Sequence, residues 1–208
     1  MFNNLKQKNN TCSVKFQKNK GFTLVETLIA IAIFSMSIIA LMSVLATGIA
    51  DTSYAKNKII ASYLAEEGIE YIRNMRDTYI TYSPTPVQGW NNFKLKILQQ
   101  PHCQSVSGIG CSFTDSLNNY DLSSLQTSAN FISCSSGSGC SLYFSNTLGK
   151  NSYSYLPTTI NSGFTRKMMF TESTNNPLEL KVISIVSWSK NSINYNVIFS
   201  DNLLRWKE

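Results

Sequence analysis

The chain has 208 residues, with 18 Lys and Arg against 12 Asp and Glu, a single His and 5 Cys, for a formal charge of +6. That length suits one globular domain with an appended segment, and one histidine leaves little room for Ser-His-Asp, Cys-His or His-ligated metal chemistry. The positive charge does not point to a basic body: residues 1–21 hold five lysines (Lys6, Lys8, Lys15, Lys18, Lys20) and no acid, which leaves thirteen basic residues against twelve acidic ones beyond them.

The first predicted element lies in "KNKGFTLVETLIAIAIFSMSIIALMSVLATGIA", residues 18–50. From Thr27 to Ala50 there is no charge and no proline. As a helix rising about 1.5 Å per residue, that run spans about 36 Å, enough for a bilayer core of about 30 Å. A secretory signal core is shorter and precedes its cleavage site. The basic leader fixes its own end in the cytoplasm and sends the rest outside. One acid, Glu26, stands at the start of the apolar run. A carboxylate at membrane depth costs about 2.5–3.5 kcal/mol on insertion scales, so its presence calls for a use.

"KGFTLVETLIAIAIFS" resembles the N-terminal signature of type IV prepilins and type II secretion pseudopilins: basic leader, glycine, Phe-Thr-Leu, glutamate, long apolar helix. The resemblance implies a leader, residues 1–21, removed by prepilin peptidase between Gly21 and Phe22, with Lys18 and Lys20 holding it on the cytoplasmic side. It implies N-methylation of Phe22. It also implies an ion pair between the Glu26 carboxylate and the new amino terminus of a neighbouring subunit; the alternative within one chain is that Glu26 compensates its own helix terminus. Implied partners are the peptidase, other pilin or pseudopilin subunits, the membrane and an inner-membrane assembly platform. Adhesion, motility, competence and secretion systems all use such an N-terminus. The run lacks the proline that many major pilins carry, and Thr27 replaces the leucine or methionine common after the glutamate.

Residues 22–50 are thus expected as a transmembrane and assembly helix, and residues 51–80 as its amphipathic extension. In the latter, Ala61, Leu64, Ala65, Gly68, Ile72 and Met75 recur at spacings of three and four and form an apolar stripe, with Lys58, Glu66, Glu70, Arg73 and Arg76 largely off it. Pro84 and Pro86 end the helix. Residues 81–208 are expected as an extracytoplasmic head. "FKLKIL" (93–98) and "SLYFS" (141–145) alternate as short strands. Residues 99–163, rich in Ser, Asn and Gly, read as ordered loops. Three clear strands follow within 164–201: "FTRKMMFTE", "LELKVISIVSWS" and "INYNVIFSD", separated by the turns "TNNP" and "SKNS". The expected fold class is α+β, a long N-terminal helix packed on a C-terminal antiparallel sheet.

The loop region holds Cys103, Cys111, Cys134 and Cys140. Outside the cytoplasm four cysteines favour disulfides in one of three connectivities, and the sequence-local pairs Cys103–Cys111 and Cys134–Cys140 are expected. No cofactor, metal or catalytic constellation is expected. His102 has no second histidine to join it, and "SSGSGCS" lacks the lysine and following helix of a phosphate loop. A nucleic-acid surface would draw on Arg166, Lys167, Lys181, Lys190, Arg205 and Lys207, with Trp188, Tyr195 and Trp206 stacking. A solvated sheet face over core aromatics is the simpler reading. The function expected is that of a structural, minor subunit of a pilus-like filament; the alternatives are a tip adhesin or DNA-binding module, and a plain membrane-anchored domain.

Overall fold

The computed structural model describes residues 21–113, 131–135, 139–147, 150–155, 157, 160–190 and 192–205. Its element order is α1 (Leu24–Tyr82), α2 (Pro86–Leu98), two single-turn 3-10 helices (Pro101–Cys103, Ser105–Ser107), then β1 (Cys111–Phe113), β2 (Phe131–Ser133), β3 (Ser141–Thr147), β4 (Lys150–Ser154), β5 (Ile160–Glu172), β6 (Glu179–Lys190) and β7 (Ile193–Leu204). The chain divides into two compact units, Met1–Ala50 and Asp51–Glu208.

In the first unit, every described residue from Gly21 to Ala50 is exposed, including Leu28, Ile31, Ile33, Phe34 and Ile39. The helix is long and apolar enough to cross a membrane by length and composition. An apolar helix with nothing covering it needs lipid or other helices as its environment. Its hydroxyls are compatible with that. Ser35 donates to the Ile31 carbonyl, Ser37 to Ile33 and Thr47 to Ser43, so each of these three hydroxyls is satisfied within the helix.

The second unit is a helix packed on one face of a seven-stranded antiparallel sheet, an α+β layout. The α1 stripe buries Ala61, Leu64, Ala65, Gly68, Ile72 and Met75, and continues through Tyr79 and Ile80. Opposite it, β5 and β6 alternate strictly: Phe164, Arg166, Met168 and Phe170 on one strand, Leu180, Val182, Ser184, Val186 and Trp188 on the other, face the helix. At Gly68 the approach is close, because a Cβ there would stand 3.0 Å from Met168 Sδ and 3.2 Å from Ser184 Oγ. β5, β6 and β7 form a meander with continuous register, Phe164 opposite Trp188 and Trp188 opposite Tyr195. The other edge of β5 pairs with β3 around Ile160–Thr165 and with β1 at Met168, and these lead to β4 and β2.

Two expectations are corrected. "FKLKIL" is the C-terminal half of α2, not a strand. Thr85 caps that helix by accepting from Gln88 N at 3.2 Å, Pro86 sits at its first turn, and Gly89, Trp90, Phe93 and Ile97 are buried at helical spacing while Leu95 is exposed. Residues 99–163 are also more than loops, since β1 to β4, the start of β5 and both 3-10 turns fall there. Their polar composition hides a few deeply buried anchors, Cys103, Cys111, Phe113, Phe131 and Leu142, around which short strands pair with β5 or with one another.

Candidate processing and assembly site

The N-terminal site is built on the first turn of α1. Gly21, Phe22 and Thr23 precede the helix, and Phe22 is 81% exposed. Thr23 and Glu26 stand three residues apart, the spacing of a capping box. The Thr23 hydroxyl accepts from the Glu26 backbone N–H at 3.4 Å, and the Thr23 carbonyl accepts from Glu26 and Thr27 N–H at 3.1 and 3.2 Å. Glu26 is thus the acid of the first helical turn. Its carboxylate favours the helix N-terminus electrostatically. No cation pairs with it among the described residues.

Gly21 has no local structural reason to be glycine. A Cβ there would meet nothing within 4 Å, and its backbone is not in the left-handed region. Gly110, by contrast, needs its φ of +79° and lies tight against Lys167. A glycine that the fold does not require is suited to a partner that must approach the backbone closely.

Residues 16–50 match the family model described as the prokaryotic N-terminal methylation motif. The N-terminus is type IV pilin-like. The match takes in Gly21, Phe22 and Glu26 and ends where the apolar run ends. No curated protein and no solved structure matches the chain. Lys18 and Lys20 belong to the matched stretch but lie outside the described residues.

Beyond this pilin-like segment, the head places the other predicted residues as follows. Cys103 and Cys111 come together as a disulfide, with both residues buried, and Cys134 joins Cys140. The turn carrying the first pair is closed by Gly110 N–H donating to the His102 carbonyl and Cys134 N–H to the Gly110 carbonyl. Cys103, bonded to Cys111, offers His102 no thiolate partner. Among the described residues no group of three or more His, Cys, Asp or Glu is placed to hold a metal ion.

The basic surface drawn from Arg166 is corrected. Arg166 is 1% exposed and lies between α1 and β5, not on a face that reaches phosphate. Its Nη1 donates to the Leu64 carbonyl at 2.9 Å and to Glu67 Oε2 at 2.8 Å, its Nε donates to the Tyr155 hydroxyl at 2.8 Å, and its guanidinium lies over the Phe113 and Tyr155 rings. Burial works against the charge, but Tyr155 and Glu67 outweigh it and the Arg166 pKa is raised. Trp188 is also buried, within the aromatic core, and Trp206 and Lys207 lie outside the described residues. Lys167, on the opposite face of β5, donates to the Gly108 carbonyl.

The Arg166–Glu67–Tyr155 set was missed by sequence reasoning, though one signal was present. Arg166 shares its phase in the alternating strand with Phe164, Met168 and Phe170, and that phase faces inward. The set borders an open groove of about 650 Å³ lined by Glu67, Glu70, Arg73, Asp77 and Tyr153. Arg73, at the edge of that groove, joins Glu70 and, at 3.0 Å, Asp201, tying α1 to β7.

Proposed function

We propose that this chain is a minor structural subunit of a type IV pilus-like filament or pseudopilus, processed by prepilin peptidase and assembled through its N-terminal helix. The observation that carries this reading is the methylation motif over residues 16–50, which includes glycine, phenylalanine and glutamate at Gly21, Phe22 and Glu26. Water adds across the Gly21–Phe22 peptide bond: its hydroxyl goes to the Gly21 carbonyl and a proton to the Phe22 nitrogen. The leader leaves with its lysines, and the product keeps the whole apolar run. A sulfonium-type methyl donor then gives its methyl group to the Phe22 nitrogen and leaves as a thioether, and the methylated amine is protonated near neutral pH.

The mature helix then carries a cation at its first residue and an anion at Glu26, both at membrane depth. Each is costly there alone, and pairing removes the cost. Within one chain the first-turn position of Glu26 offsets part of it. Full neutralisation comes when Glu26 of one subunit meets the Phe22 ammonium of the next, which favours one axial register over others. Exposure of the whole apolar helix supports this reading, since the same surface serves lipid before assembly and neighbouring helices after it.

The test is Glu26→Val, scored separately for cleavage and for incorporation into filaments with a major subunit. Cleavage at Gly21–Phe22 is expected to continue while incorporation is lost. A variant that still incorporates would overturn Glu26 as the assembly contact, and a wild-type chain that never enters filaments would favour a plain anchored domain over a filament subunit.

A further inference from the structure

The groove beside Arg166 has no part in the proposed processing or assembly, and all of its lining lies within Asp51–Glu208. At about 650 Å³ it falls within the range of ligand sites, about 300–1,000 Å³. α1 supplies Glu67, Glu70, Tyr71, Asn74 and Asp77 to it, and β4 supplies Ser152 and Tyr153. Two kinds of surface therefore meet there, aromatic rings and planar polar groups.

The rings are fixed in place by the core. Tyr71 stacks on Phe113 with centroids 3.9 Å apart, and Phe113 meets the Tyr155 ring edge-on at 5.2 Å. Tyr153 is held edge-on by Phe144 at 5.4 Å and by Phe164 at 6.4 Å. Tyr71 and Tyr153 are only half-buried, so each keeps area open to a ligand. The charges, by contrast, are already matched. Glu67 pairs with Arg166, Glu70 with Arg73 and Asp77 with Arg76, which leaves no unpaired carboxylate for a cation and no unpaired guanidinium for an anion among the described lining residues. Hydrogen-bonding capacity remains, because a paired carboxylate still has lone pairs and a paired guanidinium still has N–H donors. The described bonds of Arg166 use Nε and Nη1, and none uses Nη2. The exposed Asn74 and Ser152 add an amide and a hydroxyl.

A ligand that matches this lining is uncharged, carries adjacent groups that both donate and accept, and offers an apolar face to a ring. A pyranose does all three. Its vicinal hydroxyls span the edge of an amide, carboxylate or guanidinium, and its axial C–H groups suit the negative face of an aromatic ring. A peptide would be fixed by charge at its termini or side chains, and the groove has no unpaired charge with which to do so. We propose that the groove binds a neutral oligosaccharide, with Tyr71 and Tyr153 stacking on sugar rings and Asn74, Ser152 and Arg166 Nη2 bonding to their hydroxyls. The site stands on the head alone, whether or not the chain enters a filament.

The full chain is placed in nanodiscs, which avoid sugar-based detergents, and saturation-transfer difference NMR is run with maltotriose, cellotriose, mannotriose and N-acetylchitotriose. Trigalacturonic acid and the end-capped peptide Ser-Val-Ser-Val-Ser-Val serve as charged and peptide comparators. Saturation is expected to reach the ring C–H protons of at least one neutral trisaccharide. Asn74→Ala and Tyr153→Leu are each expected to weaken that binding several-fold, while Lys181→Ala, exposed on the other face of the sheet, leaves it unchanged. Thermal denaturation separates loss of the ring from loss of the fold in Tyr153→Leu, and Asn74→Ala, at an exposed helix position, decides alone if that variant is unfolded. Transfer to none of the neutral trisaccharides overturns the site. Transfer as strong to trigalacturonic acid, transfer to the peptide alone, or binding that no folded variant weakens overturns it as well.

Discussion

Arg166 is the residue on which the helix-to-sheet packing turns. It joins a backbone carbonyl of α1, the Glu67 carboxylate and the Tyr155 hydroxyl in a site only 1% exposed. Arg166→Ala leaves the hydroxyl and carbonyl without their donor and opens a cavity, and is expected to cost about 3 kcal/mol in chemical denaturation. Glu67→Gln keeps an acceptor and changes a side chain that is 57% exposed, so about 1 kcal/mol is expected. Ser184 has the reverse character. Its hydroxyl is buried without a partner among the described residues, so Ser184→Ala is expected to be neutral or to stabilise by about 1 kcal/mol. Burial raises the Tyr79 pKa, so its contribution to stability is full below the unfolded value near 10 and is lost as pH rises past it. Tyr79→Phe is expected to flatten the alkaline end of the stability curve. At this scale the N-terminal motif is legible because its residues are neighbours in sequence: Gly21, Phe22 and Glu26 lie within six positions. The Arg166–Glu67 pair is separated by 99 positions, and no local pattern links the two.

At the scale of elements, the long helix and the three C-terminal strands are legible because each is read over a segment of nine or more residues. The α2 helix is not. The first five residues of "FKLKIL" satisfy alternation, and the Thr85 cap, Trp90 and Phe93 outside or at the edge of that window decide for helix. The turn between α1 and α2 brings them so close that a Cβ on Gly89 would stand 2.4 Å from the Tyr79 carbonyl oxygen and 2.7 Å from Ile80 Cα. Backbone cannot move aside cheaply, so Gly89→Ala is expected to destabilise by about 3 kcal/mol. Gly68→Ala meets only side-chain atoms at 3.0–3.2 Å and is expected to cost less. Thermal denaturation of the two variants ranks them. The strands of residues 99–163 escape sequence reading for a different reason. β1 and β2 are three residues each, too short to show a period, and are held by pairing with each other and, through β1, with β5. Their disulfides differ in access: Cys103 and Cys111 are both fully buried, whereas Cys134 is partly exposed. Mild reductant followed by alkylation and mass spectrometry is expected to open Cys134–Cys140 before Cys103–Cys111.

At the scale of the whole molecule, the two units obey different solvents. Residues 22–50 are apolar on every face, and residues 51–205 bury one helix stripe against one sheet face in the manner of a water-soluble domain. A single chain with both needs a boundary to live at, and the proposed processing at Gly21 gives it a defined end there. Residues 1–21 hold most of the excess positive charge, so the chain that the proposed cleavage leaves is close to neutral, and the proposed assembly draws on the helix rather than on long-range attraction. The most direct measurement is mass spectrometry of the mature protein after co-expression with a prepilin peptidase. The account predicts an amino terminus at Phe22 carrying one methyl group. A chain that keeps residues 1–21, or one cut after the apolar run, would contradict it.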